Sequence, residues 1–155
     1  MFPVQKQGMV ARAHTFAFHG IDVLDIDVQV HMAPGLPAFT IVGLPDKAVG
    51  ESRERVRAAL QAIGLALPPR RITVNLSPAD VVKEGSHYDL PVALGVLAAM
   101  GILEQDWLNQ YVVLGELALD GRLTAVSGIL PAAINANARN RGLVCPQDCG
   151  PEAAW

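Results

Sequence analysis

The amino-acid sequence predicts an α+β fold in which a mixed β-sheet packs against helices. Residues 22–30 alternate between apolar and polar side chains, which is typical of a strand with one buried face. Residues 47–63 carry apolar side chains at helical spacing. The chain of 155 residues, with 51% hydrophobic and 17% charged residues, is sufficient for one folded domain with a buried core.

The first part of the chain predicts three strands followed by a helix. The segment HTFAF (14–18) is expected to form a hairpin with residues 22–30 through His19–Gly20, and AFTIVGL (38–44) is expected to form a third strand. Asp46 stands where a helix N-cap belongs, ahead of the helix over 47–63. The predicted apolar stripe of this helix consists of Val49, Val56, Leu60 and Ile63, with a Glu51–Arg55 pair on the outside.

The second part predicts a strand at 71–76 with Ile72, Val74 and Leu76 directed inward, then an apolar helix over roughly 90–101. A hairpin follows in which residues 111–119 and 122–126 flank Asp120–Gly121. A helix from Pro131 to about Arg141 is expected to stop at Gly142, and residues 143–145 form a last short strand. The predicted order is β-β-β-α-β-α-β-β-α-β.

Composition and charge restrict the class of protein. The net charge of −3 gives no overall basic footprint for nucleic acid, and the arginines at 53, 55 and 57 alternate with Glu51 and Glu54, which favours a solvated helix face. No secretory signal is present, and the apolar stretch 88–103 is too short for a membrane helix. We therefore expect a cytoplasmic protein without membrane contact. Residues 1–8, ahead of Met9, are expected to be a leader or disordered tail, and residues 9–155 a single domain.

The sequence predicts neither a metal site nor a cofactor site. Cys145 and Cys149 lack the further ligands of a zinc site, and two free thiols are favoured over a disulfide. Asp25 and Asp27 share a strand face without a third ligand, which favours a solvated outer face. The glycine-containing loops at 33–37 and 43–45 match no nucleotide-binding pattern, and the chain has no Walker A motif. The histidines at 14, 19 and 31 are interpreted as structural.

The segment KEGSHYDLP (83–91) places Ser86, His87 and Asp89 close together in sequence. A catalytic triad needs the imidazole between the hydroxyl and the carboxylate, and near neighbours in sequence rarely achieve this geometry. The S-x-x-D spacing ahead of an apolar run instead indicates a capping box, with Asp89 alone as an alternative cap. The sequence therefore predicts that Ser86 and Asp89 cap the second helix.

Three segments carry a resemblance to a known family: PGLPAFTIVGLPDKAVGESRERVRAAL, RITVNLSPADVVKEGSHYDLPVALGVLA and VVLGELALDGRLTAVSGILPAA. They resemble the N-terminal domain of bacterial Mg-chelatase-like AAA+ ATPases of the ComM and YifB type, and the similarity runs from about Arg12 to Cys145. The resemblance implies an isolated N-terminal domain whose AAA+ module, with its ATP and Mg²⁺, is absent from this chain. It also implies other subunits of an AAA+ ring, a hexamer at full length, and DNA as partners of the full-length protein, in DNA processing during natural transformation.

The N-terminal domain of that family is similar to the Lon protease domain, which implies a ribosomal S5 domain 2-like fold. The Lon-type signature sets His87 where the nucleophilic serine would stand and Leu130 where its lysine base would stand. Leucine cannot accept a proton, and the only lysines, Lys6, Lys47 and Lys83, lie outside the second motif. The resemblance therefore implies vestigial dyad positions at His87 and Leu130 and no peptidase activity.

Two helix N-termini follow Gly85 and Gly128, and helix N-termini can bind anions. A vestigial ligand groove is conceivable beside Lys83, Ser86, His87 and Ser127. The leading hypothesis is a non-catalytic accessory domain of an AAA+ ATPase. The alternatives are a Lon-like serine peptidase with a rearranged site at Ser86 and His87, and a nucleic-acid-binding module that uses the Arg53–Arg57 helix.

Overall fold

The structure, a computed structural model, describes residues 10–154. The predicted leader over residues 1–8 lies outside these residues. The strands are β1 (Ala11–His19), β2 (Asp22–Ala33), β3 (Ala38–Val42), β4 (Arg71–Ser77), β5 (Tyr111–Val113), β6 (Glu116–Leu117), β7 (Leu123–Thr124) and β8 (Gly142–Val144). The helices are α1 (Asp46–Ala62), α2 (Asp89–Ala99), α3 (Gln105–Leu108), α4 (Ile129–Ala138) and α5 (Gly150–Ala153), with a 3-10 turn at Gln147–Cys149.

Six strands form one mixed sheet in the order β3-β4-β2-β1-β5-β8, and β6 pairs with β7 separately. The pairs β1–β2 and β2–β4 are antiparallel, whereas β3–β4, β1–β5 and β5–β8 are parallel. The predicted α+β class with a mixed sheet is thus confirmed. The first hairpin is confirmed as well, because His19 pairs with Asp22 across Gly20, whose φ of 60° suits glycine.

The inner face of the sheet packs against α1 and α2 and holds the main core. The alternation read from the sequence accounts for this face, because Ile26, Val28 and Val30 of β2 are buried there. The predicted inward residues of β4 are also buried: Ile72, Val74 and Leu76. In α1 the buried residues are Ser52, Val56, Ala59 and Leu60. The predicted stripe was wrong at Ile63, which follows the helix and is 58% exposed.

Among the described residues, the outer face of the sheet is covered at one end only. There α4 packs on Phe16 of β1, Val112 of β5 and the segment around Cys149, which forms a second apolar cluster. The remaining outward side chains of β2, β4 and β3, here called the open face, have no helix over them within residues 10–154. The open face consists of Asp27, Gln29, His31, Ala33, Ala38, Thr40, Val42, Arg71, Thr73, Asn75 and Ser77.

Several predicted boundaries were wrong for physical reasons. Asp46 is the first residue of α1 and Pro45 occupies the N-cap without a side-chain hydrogen bond. The predicted strand 111–119 is split, because the backbone N–H of Gly115 donates to the His87 carbonyl and its carbonyl accepts from Leu90. Helix α4 ends three residues before Arg141, since Asn140 takes a φ of 56°, and Gly142 begins β8. The sequence did not predict α3, α5 or the turn at Gln147–Cys149.

Candidate functional site

Asp89 is the centre of the polar group built around the start of α2. It is fully buried, and its Oδ1 accepts hydrogen bonds from Ser52 Oγ (2.7 Å) and Arg55 Nη2 (3.2 Å). Its Oδ2 accepts from Arg55 Nε (2.6 Å) and from the backbone N–H of Leu117 (3.1 Å). The hydrogen bonds to Asp89 raise the pKa of Arg55. One carboxylate therefore joins α1, α2 and β6.

This arrangement corrects the capping prediction. Tyr88 is the N-cap residue of α2, and no side chain makes a capping hydrogen bond there. The carboxylate of Asp89 turns toward α1 and β6 instead, where it meets donors that lie 28 to 37 positions away in the sequence. Local spacing could not reveal these partners. A hint was present, since Ser52 and Arg55 are polar residues on the side of α1 that faces the core.

His87 is a buried structural side chain in this fold. Its exposed fraction is 4%, and Nε2 lies 2.6 Å from the carbonyl oxygen of Phe16, so this nitrogen carries the proton. Burial lowers the pKa of His87, although the Phe16 carbonyl and Asp89 oppose the effect. The ring lies tilted against Tyr88 and Phe18, with centroid distances of 4.0 and 5.4 Å. The imidazole thus ties the start of α2 to β1.

Tyr88 contributes a polar atom that the surrounding residues leave without a partner. Its hydroxyl is buried and lacks a hydrogen bond among the residues that the structure describes. Burial is the main cause that raises the pKa of Tyr88, and the charge of Glu84 adds to it. The phenol is therefore held neutral beside the His87 ring.

Lys83 is also removed from solvent, with 1% of its surface exposed. Its Nζ donates to the carbonyl oxygens of Pro78 (2.6 Å) and Val81 (2.8 Å). Desolvation lowers the pKa of Lys83, and the nearby charge of Asp80 opposes this. The ammonium group is thus engaged by the turn that follows β4.

A cavity of about 330 Å³ opens between the first turns of α1 and the residues ahead of α2. Its walls are formed by Leu44, Pro45, Lys47, Ala48, Glu51, Ser52, Arg55, Gly85, Ser86, Tyr88 and Asp89. Of the four residues of the predicted groove, Ser86 belongs to this wall, whereas Lys83, His87 and Ser127 do not. The structure does not bring the four side chains together in this cavity.

The second predicted motif lies at the start of α4. Gly128 precedes the helix with a φ of 87°, and an added Cβ there would lie 2.8 Å from the ring of Phe18. The half-buried Leu130 donates its backbone N–H to Glu152 Oε2 of α5 (3.0 Å). Phe18 therefore touches both motifs, since the same ring also lies against His87.

The outer face carries a second polar group, at positions that the sequence predicts to be solvated. Asp25 accepts hydrogen bonds from Arg139 (2.8 and 3.1 Å), and Asp27 pairs with Arg12. These residues border a cavity of about 420 Å³, whose wall is formed by His14, Asp25, Ile26, Asp27, Ser77, Pro78, Arg139 and Arg141. Both aspartates are ion-paired, and within residues 10–154 no cluster of three or more His, Cys, Asp or Glu suits a metal ion.

Comparison with known proteins identifies the class. A family model described as subunit ChlI of Mg-chelatase matches residues 28–149, and the chain belongs to this family. It is 41% identical over 145 residues to competence protein ComM of Haemophilus influenzae, covering 94% of this chain and 28% of that protein. It is 44% identical over 135 residues to uncharacterized protein YifB of Escherichia coli, covering 87% of this chain and 27% of that protein.

An uncharacterized protein of Mycobacterium tuberculosis is 41% identical over 146 residues, covering 94% of this chain and 29% of that protein. The chain thus spans less than a third of the length of these relatives. The predicted resemblance to the Mg-chelatase-like family of the ComM and YifB type is confirmed. Across the part of the chain that the structure covers, no helix has the length and apolarity needed to cross a bilayer.

Proposed function

We propose that this chain is a non-catalytic N-terminal accessory domain of a cytoplasmic Mg-chelatase-like AAA+ ATPase. The observation that carries the proposal is the family match over residues 28–149, together with relatives more than three times the length of this chain. In the longer protein, ATP and Mg²⁺ would bind in the AAA+ module, and other subunits of a hexameric ring would be its partners. The name of the competence protein relative supports DNA as the substrate of the whole assembly.

The proposal includes a single domain over residues 9–155 with the Lon-like, ribosomal S5 domain 2-like fold. A mixed sheet with helices on the inner face and α4 on the outer face is compatible with it. Positions 87 and 130, the counterparts of the Lon-type dyad, hold histidine and leucine. Neither can reproduce a serine–lysine pair, which supports a domain without peptidase chemistry.

The alternative is a rearranged peptidase that uses Ser86 and His87. Ser86 does line the cavity of about 330 Å³. However, with Nε2 bonded to the Phe16 carbonyl, only Nδ1 of His87 could act as the base, and among the residues that the structure describes no hydrogen bond joins it to Ser86, while the ring lies against Phe18 and Tyr88 outside the wall of that cavity. A general base must reach the serine hydroxyl, so this geometry argues against the alternative.

The accessory role is tested in a full-length protein that carries this domain, compared with a form that lacks residues 10–154. We expect the shortened form to retain ATP hydrolysis by its AAA+ module and to lose ring assembly or DNA processing. Sedimentation, phosphate release and a branched-DNA assay measure these properties. Unchanged assembly and unchanged DNA processing would contradict the accessory role.

The peptidase alternative is tested on the 155-residue chain with a fluorophosphonate probe. We expect no specific labelling. Labelling of Ser86 that Ser86→Ala abolishes, while the matched control Ser127→Ala retains it, would replace the accessory proposal with a hydrolase. Ser127 is a suitable control because it is exposed and lies outside the cavity that Ser86 lines.

A further inference from the structure

The open face has an unusual composition for an uncovered sheet surface. Along β4, the side chains directed away from the core are Arg71, Thr73, Asn75 and Ser77. All four carry hydrogen-bond donors. Alternate residues of a strand are about 6.6 Å apart, so the row extends over about 20 Å. It presents regularly spaced donors along one line.

The neighbouring strands extend this polar surface. Asn75 donates to Gln29 Oε1 (3.1 Å), and Gln29 in turn donates to Asp27 Oδ2 (2.9 Å). This chain of hydrogen bonds fixes the amide groups across β4 and β2. Asp27 is neutralised by Arg12 on β1. These hydrogen bonds therefore hold the polar side chains in place, and the charge of Asp27 is already balanced by Arg12.

Two arginines at opposite ends of the open face are available to bind an anionic group. Arg71 begins β4 and is exposed, and Arg141 lines the cavity of about 420 Å³ where the open face meets α4. Neither has a carboxylate partner among the residues that the structure describes. Among the residues of the open face, the wall of the cavity of about 420 Å³ and Arg12, four arginines (12, 71, 139 and 141) stand beside two aspartates (25 and 27), and both aspartates are already paired with Arg139 and Arg12.

The composition favours one kind of partner. A protein interface usually has an apolar centre, whereas the open face has Val42 as its single large apolar side chain. It also carries no Phe, Tyr or Trp side chain, the large rings on which bases usually stack. Spaced donors with unpaired guanidinium groups at each end suit the phosphates of an extended nucleic-acid strand.

We infer that the open face binds the phosphodiester backbone of a nucleic-acid strand, without reading its sequence, between Arg71 and Arg141. The inference rests on the proposed function insofar as that function gives the whole assembly a DNA substrate. It differs from the sequence-based alternative, which used the Arg53–Arg57 side of α1. Helix α1 packs on the inner face of the sheet, so the two surfaces are on opposite sides of the molecule.

The test measures binding of a fluorescein-labelled single-stranded oligonucleotide to the 155-residue chain by anisotropy over a range of salt concentrations. We expect affinity to fall as salt rises. Arg71→Glu and Thr73→Glu should each weaken binding about tenfold or more at low salt. Arg71→Glu should also reduce the slope of log K against log salt by about 0.7, the value for one phosphate contact of a single strand.

Arg53→Glu on α1 is the matched control, because it makes the same charge change outside the open face, and it should change the affinity less than about twofold. Thermal unfolding of each variant confirms that it folds, and the exposed Thr73 provides a second variant if Arg71→Glu is unstable. Absence of binding at low salt would overturn the inference. So would an equal loss of affinity in Arg53→Glu and Arg71→Glu. Either result leaves the accessory role intact, since ring assembly and ATP hydrolysis test that role.

Discussion

Asp89 is a carboxylate removed from water, and its charge is balanced by Arg55, whose side chain is 23% exposed. Replacing it with asparagine removes the ion pair and leaves the guanidinium partly buried. We expect Asp89→Asn to lower the free energy of unfolding by about 2–4 kcal/mol. Urea denaturation measures the change as a lower midpoint at an unchanged slope.

Glu51→Gln provides the control for Asp89→Asn, because Glu51 contacts the same Arg55 from the solvent side at 3.8 Å. An exposed pair of this kind contributes less than about 1 kcal/mol. A loss of similar size in the two variants would show that the buried carboxylate has no special role.

The histidines make stability depend on pH. Burial is the first cause that lowers the pKa of both His87 and His14 below 6.5. His87 faces the Phe16 carbonyl and Asp89, while His14 faces Arg141, Arg12, Asp27 and Asn109. Below pH 6.5 the unfolded chain therefore binds more protons than the folded chain at these two positions.

We expect these two groups to stabilise the fold fully above about pH 6.5 and progressively less as the pH falls toward their folded pKa values. Each histidine adds at most about 1.4 kcal/mol per pH unit to this slope. Urea midpoints between neutral and mildly acidic pH measure it. His87→Gln should reduce the slope of unfolding free energy against pH by the contribution of one histidine. An unchanged slope would show that His87 does not cause this pH dependence.

At the scale of secondary-structure elements, the start of α4 depends on Gly128. Its φ of 87° disfavours a side chain, and a Cβ would meet the Phe18 ring at 2.8 Å. Gly128→Ala should therefore lower the unfolding free energy by about 1–3 kcal/mol. Gly50→Ala is the matched control, since Gly50 lies within α1 with open space around it. Circular dichroism should show a lower melting temperature for Gly128→Ala and a higher one for Gly50→Ala, whose unfolding free energy should rise by about 0.5–1 kcal/mol.

Element prediction succeeded where one local pattern determined the structure. The alternation in β2 and β4 predicted the buried faces because one residue step reverses every side chain. The prediction failed where groups distant in sequence determine the structure. Gly115, for example, forms backbone hydrogen bonds with His87 and Leu90, which interrupt the predicted strand. The same holds for the site: the sequence singled out 86–89, but the partners of Asp89 come from α1 and β6.

At the scale of the whole molecule, one sheet holds two apolar clusters, the main core on its inner face and the smaller cluster around Phe16 and Cys149 outside. Because β1 supplies side chains to both, we expect them to unfold together. In a Cys145→Ser variant, the buried thiol of Cys149 should react with a disulfide reagent at the same urea concentration at which circular dichroism is lost. Reaction at clearly lower urea would show that the outer cluster opens by itself.

Phe18 bears on how this domain is related to a peptidase. Its ring fills the space beside His87 and beside Gly128, which belong to the two segments that resemble the Lon-type dyad motifs. If those positions correspond as proposed, we expect that serine at 87 and lysine at 130 alone would not restore a hydrolase, because the Phe18 ring would still lie against both segments. The packing of β1 would then keep the domain without peptidase activity, and two substitutions could not reverse this.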